Sequence, residues 1–154
     1  MRVASAPPFR KAPLSPAPAA SPSSATAALR TAHGTLRHSL IALERCEDAG
    51  LVSALRALKP ALEQNLAAKD QLYQDSAKAF ERAGQPGPAQ ILRIFEQNMG
   101  LVSSSVRGFL ASIDSAKDPR SLRDRLPTVV RVLRERMDSE ERAVFPLFDR
   151  SATL

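Results

Sequence analysis

At 154 residues, with 44% hydrophobic, 25% charged and 5% aromatic side chains and no Trp, the chain suits one globular domain built from helices rather than strands. No apolar stretch approaches the roughly 20 residues needed to cross a bilayer, and the single Cys46 excludes an intrachain disulfide and any cysteine-based metal spacing; no membrane insertion is expected, and the cytoplasm is the expected location. The net charge of +6 belongs mainly to the first 43 residues, which carry five basic and no acidic side chains, whereas residues 44–154 hold 17 basic against 16 acidic ones and are close to neutral.

Residues 1–25 read as a leader rich in Pro, Ala and Ser. Six of the twelve prolines fall within the first 24 residues. Such a segment buries too little apolar surface to offset its ordering entropy, so a basic, disordered tail is expected. It lacks the continuous apolar core of a secretory signal. Its acid-free, Arg- and Ser-containing character resembles an organellar transit peptide, with a plain flexible tail as the preferred reading.

Four helical segments follow, covering residues 26–150, with 151–154 as a short C-terminal tail. The first runs from Thr26 to Asp48 through Leu29, Leu36, Leu40 and Leu43, with Gly50 as its stop. Leu51, Leu55, Leu58, Leu62, Leu66 and Leu72 mark the second, from Leu51 to Arg82, which Pro60 is expected to kink or divide. The run Gly84-Gln85-Pro86-Gly87-Pro88 breaks the chain. A third helix, Ala89 to Ser115, carries Leu92, Phe95, Met99, Val102, Val106, Phe109 and Ile113. Beyond Asp118-Pro119 the fourth, Ser121 to Arg150, carries Leu126, Val129, Val130, Leu133, Met137, Val144 and Phe148, and Pro127 begins or bends its main section. Short connections between long amphipathic helices make neighbours antiparallel. The expected fold is therefore all-α, an antiparallel up-down-up-down four-helix bundle with a disordered N-terminal tail.

Polar residues interrupt these apolar stripes. His33 stands between Leu29 and Leu36; Asn65 and Lys69 follow Leu62; Glu96 and Asn98 flank Met99; Arg136 and Glu140 lie along the stripe of Leu133, Met137 and Val144. In an antiparallel bundle they reach a similar depth. A histidine or carboxylate four residues from another lies on one helix face, and such sets from facing helices are how bundles build di-iron sites. Each has a plainer reading: His33 as a satisfied core histidine, His38 on the solvated side, Glu140-Glu141 as a surface acidic pair, Met99 and Met137 as core.

The stretch Arg136-Met-Asp-Ser-Glu140-Glu141-Arg-Ala-Val-Phe145-Pro146-Leu147-Phe148 resembles the last-helix pattern of the hemerythrin-like (HHE) family, H-x-x-x-E-E followed by L-F/Y-P-L. Asn65-Leu-Ala-Ala-Lys69-Asp70-Gln-Leu-Tyr73 is similar to its H-x-x-x-E-D-x-x-L-Y-P, with the tyrosine one residue early and Gln74 in place of proline. Phe95-Glu96-Gln97-Asn98-Met99 resembles members that have replaced the third-helix histidine, and His33 matches the first-helix one. The resemblance covers roughly residues 26–150. It implies that His33 and Glu140 remain from a ligand set, that Asn65 and Arg136 stand for histidines, and that Lys69 stands for a bridging carboxylate; the third-helix ligand is Met99 or Asn98, depending on alignment. A protonated Lys or an Arg has no lone pair to offer and repels iron.

The expectation is accordingly a non-enzymatic binding or regulatory module with no cofactor and no metal, in which His33, Asn65, Lys69, Glu96, Arg136 and Glu140 form a buried polar network. The competing expectation is a non-haem iron protein that binds through His33, Glu96 and Glu140, with Glu141 and Asp70 in support, for sensing or storing oxygen, nitric oxide or iron. An unspecified protein is the expected partner; the sequence does not specify an oligomeric state. Nucleic acid is not an expected partner, because the arginines of residues 120–142 alternate with Asp124, Glu135, Asp138, Glu140 and Glu141 as on a solvated, salt-bridged face.

Overall fold

The computed structural model describes residues 23–154. The leader expected over residues 1–25 falls, apart from its last three residues, outside the described residues. Helix α1 spans Ser24–Arg45, α2 Asp48–Arg82, α3 Pro86–Ser112 and α4 Pro119–Ser139; α4 continues through a π-helical turn, Glu140–Val144, into α5, Phe145–Ser151. Among the described residues there are no strands, and no helix is long and apolar enough to cross a membrane. The arrangement is the expected four-helix bundle, with its last helix drawn in two pieces.

The boundaries follow local chemistry. Ser23 caps α1 by accepting from the Thr26 amide, so the helix begins two residues before the expected start. At the far end Cys46 and Glu47 alone separate α1 from α2, and Gly50 lies in the first turn of α2 rather than stopping α1. Arg123 of α4 closes that junction, donating to the carbonyls of Leu43 (3.1 Å) and Cys46 and to the Asp48 carboxylate (2.8 Å). It thereby satisfies carbonyls that a helix end leaves without partners. Pro60 does not divide α2: it sits on the exposed face, where water can serve the carbonyl that its missing N–H leaves free. Helix α2 ends in a Schellman turn. The Gln85 amide donates to the Phe80 carbonyl (2.9 Å) and the Gly84 amide to that of Glu81 (3.1 Å), with Gly84 at φ +71° and Pro86 opening α3.

The interior has two apolar regions. One joins Leu36, Leu40, Leu43, Leu51, Leu55, Leu58, Leu62 and Leu66 to Val106, Phe109, Ile113, Leu126, Val130, Leu133 and Met137. The other gathers Leu29, Tyr73, Ala77, Phe80, Leu92, Val144, Phe145 and Phe148. Leu72, expected on the buried face of α2, is only partly buried; after Leu66 the face turns through Lys69, Tyr73, Ser76 and Phe80. Between the two regions every long helix contributes a polar group.

Candidate functional site

That dividing layer holds His33 from α1, Lys69 from α2, Ser103 from α3, and Arg136 with Glu140 from α4 and its π turn, each no more than 2% exposed. Glu140 is its centre. One carboxylate oxygen, Oε1, accepts from Lys69 Nζ at 2.7 Å and from Arg136 Nε at 3.1 Å, and the other, Oε2, accepts from the Tyr73 hydroxyl at 3.1 Å. Arg136 also donates to the Met99 carbonyl (3.3 Å) and the Ser103 hydroxyl, while its Nη2 has no partner among the described residues.

The π turn places Glu140. Pro146 lacks the N–H that would bond to Arg142, and its ring would press on that carbonyl in a regular α-helix. One wider turn, in which the Phe145 amide reaches back five residues to the Glu140 carbonyl, absorbs the misfit. The Arg136–Glu140 pair stands one helical turn apart just before it, so both side chains point inward together.

His33 links this centre to the surface. Lys69 Nζ lies 3.3 Å from His33 Nε2, and His33 Nδ1 lies 3.0 Å from Glu141 Oε1. A lysine ammonium can only donate, so Nε2 accepts and the proton resides on Nδ1, which donates to Glu141. Burial, reinforced by the Lys69 charge, pushes the His33 imidazolium pKa down to about 4 and keeps the ring neutral. Burial likewise lowers Lys69 to about 8, held up against further loss by Glu140. The Tyr73 phenol is pushed upward by burial and by the Glu140 charge, so it stays a donor. Burial would raise the Glu141 carboxyl, but hydrogen bonds from Arg37 and His33 outweigh it and hold Glu141 below the usual range. Arg37 grips Glu141 with both guanidinium arms (2.8 and 3.0 Å) and Asp138 at 2.8 Å.

Four of the six residues expected in the network meet: His33, Lys69, Arg136 and Glu140. Two do not. Glu96 is half-buried and makes no hydrogen bond or ion pair among the described residues: it shares the Ser103 face of α3 but lies two helical turns, about 10 Å, before it and so short of Arg136. Asn65 is buried, one turn before Lys69, but lines the α1–α2 seam; among the described residues its side chain makes no hydrogen bond and its Nδ2 is without a partner. Asn98 is exposed and Met99 contributes its carbonyl only. Asp70, proposed as a supporting ligand, pairs with Arg107 at the surface (3.1 Å). The sequence reading missed Tyr73, Ser103, Glu141 and Arg37 as members. The spacing of Arg37, four residues after His33, was the available signal for the last two.

A family model described as the hemerythrin HHE cation-binding domain matches residues 24–148. No curated protein and no solved structure matches the chain.

Proposed function

The chain belongs to the hemerythrin HHE cation-binding family, and from that premise we propose that it is a member in which an internal ion-pair layer stands where relatives hold a metal, acting as a non-enzymatic binding or regulatory module. The observation that carries the reading is the filled coordination of Glu140, whose two oxygens face Lys69, Arg136 and Tyr73.

An iron ion at this carboxylate would have two fixed cations within a few ångströms. Even at an effective dielectric constant near 20, a unit charge 4 Å from another costs about 4 kcal/mol, and a divalent ion about twice that for each cation. His33 is no better placed to help, since one ring nitrogen faces Lys69 and the other Glu141. Among the described residues no group of three or more His, Cys, Asp or Glu side chains is arranged to hold a metal ion. The donors present do not suit non-haem iron, and no step is assigned to it.

A binding role is preferred to catalysis because the titratable groups of the layer, His33, Lys69, Tyr73, Arg136 and Glu140, are engaged with one another. The decisive experiment is metal analysis of the full chain expressed with iron, together with its visible absorption spectrum. The expected result is iron far below one atom per chain and no oxo-bridge bands. Stoichiometric iron with such bands would overturn the reading.

A further inference from the structure

Three of the five large apolar side chains exposed among the described residues lie on α3: Leu101 at 76%, Ile94 at 51% and Ile91 at 46%. Ile94, Gln97, Asn98 and Leu101 follow one another at three-, one- and three-residue steps, which hold them on one side of the helix, turned from the bundle. Ser104 and Ser105 continue that side. It carries no charge. From Ile94 to Val106 the sole charged residue is Glu96, half-buried and turned from this face. The arginines along its α2 flank are already held within the chain, Arg93 by Glu81 (2.6 Å) and Arg107 by Asp70 (3.1 Å). The outer faces of the other long helices differ, presenting Glu44 and Arg45 on α1, Arg56 and Glu63 on α2, and Arg131 and Glu135 on α4.

The centre of this face has the same chemical order in both directions: apolar Ile94, amide Gln97, amide Asn98, apolar Leu101. We propose that it pairs with the same face of a second copy of the chain, the two α3 helices antiparallel about a two-fold axis between Gln97 and Asn98. A two-fold contact is made by one patch with itself, so every pairing across it occurs twice. In this register Ile94 meets the partner's Leu101, and Gln97 meets the partner's Asn98 beside the axis. An amide both donates and accepts, so amide can serve amide. Other occupants fit less well. A lipid surface would leave both amides without partners, and nucleic acid would find no free cation on this face. The chain's own Arg2, Arg10 and Lys11 would find no carboxylate on it. A face one helix wide makes a small interface, so the dimer is weak and reversible. The pairing is separate from the charge layer and independent of metal.

The test is sedimentation equilibrium of the full chain from about 1 μM to about 1 mM, the range of weak dimers. A monomer–dimer equilibrium without larger species is expected, because a two-fold contact closes on itself. Ile94→Lys and Leu101→Glu each set two unpaired charges against apolar partners and should raise the dissociation constant by roughly a hundredfold or more. Both side chains are exposed, so the thermal melt of the dilute chain should not change. Mixed in equal amounts, the two variants should recover the dimer. In the antiparallel register the introduced lysine faces the introduced glutamate, while the remaining Ile94 and Leu101 still meet. A chain that stays monomeric throughout, a dimer that either variant leaves intact, or a mixture that does not pair would each overturn the proposal.

Discussion

Glu140→Gln keeps the shape of the side chain at the centre of the layer and removes only its charge. Lys69 at 2.7 Å and Arg136 at 3.1 Å would then face a neutral amide with almost no access to water. At an effective dielectric constant of 20 each lost attraction amounts to about 5–6 kcal/mol before relaxation. Lys69 can release part of this by deprotonating, since burial already brings it to about 8; Arg136 has no such escape. The net cost should therefore fall in the range of about 3–5 kcal/mol measured when one partner of a buried pair is removed. At about 2–4 °C per kcal/mol for chains near this size, the melting temperature should drop by roughly 6–20 °C. Urea unfolding followed by circular dichroism measures it, with an unchanged slope showing that the same surface is exposed. Lys69→Met makes the contrast: it removes one of two cations and leaves Glu140 bonded to Arg136 and Tyr73, so it should cost less than about 1 kcal/mol. A Glu140→Gln cost below about 1 kcal/mol at constant slope, or a Lys69→Met cost exceeding it, would refute the account of the layer.

The His33 imidazole is neutral in the fold down to about pH 4 but titrates near 6.5 when unfolded. Between those values the unfolded chain binds more protons, so stability is held above pH 6.5 and lost as pH falls toward 4, by up to about 3 kcal/mol. The urea midpoint of the native chain should fall across that window more steeply than that of His33→Gln; parallel profiles would exclude it. Gly84→Ala forces a left-handed φ on a residue with a Cβ that meets no neighbour, so about 1–2 kcal/mol of stability should be lost through backbone conformation alone. Asp149 accepts from the Ser23 amide (2.8 Å) and the Thr26 hydroxyl and so anchors the start of α1 to α5. Asp149→Ala should cost about 1–3 kcal/mol by leaving those donors without an acceptor, and hydrogen exchange should show the first turn of α1 opening first.

The helices were legible because leucines at three- and four-residue steps have no other comfortable arrangement, and α1 to α4 lie where those steps place them. The ends were less so. Gly50 looked like a stop, but a two-residue connection closed by Arg123, seventy-odd positions away, was sufficient, and no local pattern announces that contact. The π turn was hidden as well, although Pro146 six residues after Glu140 carries its cause. Within the site, the residues that sit on the apolar stripes themselves, His33, Lys69, Arg136 and Glu140, could be placed by period alone. Asn65 and Glu96 could not: Asn65 is turned about 40° around α2 from Lys69, toward the seam, and Glu96, on the Ser103 face of α3, stops about 10 Å short of it along the helix.

The chemistry of the layer follows from its charge. A carboxylate buried at the centre of a bundle cannot remain there unaccompanied by positive charge or hydrogen-bond donors. Here Lys69 and Arg136 bring positive charge on tethered side chains, at the positions that resemble a bridging carboxylate and a ligand histidine. Two buried cations stand against one buried carboxylate; burial chiefly, and after it a neighbouring cation, lowers Lys69 and holds the His33 ring neutral, while Arg136 Nη2 has no partner among the described residues. The hydrogen-bonded path from Lys69 through His33 to Glu141 and Arg37 carries that imbalance outward to an ion pair in contact with solvent. The layer is thus tied to the surface along one line, and changes of charge at Glu141 should be felt at Lys69 through a single neutral imidazole.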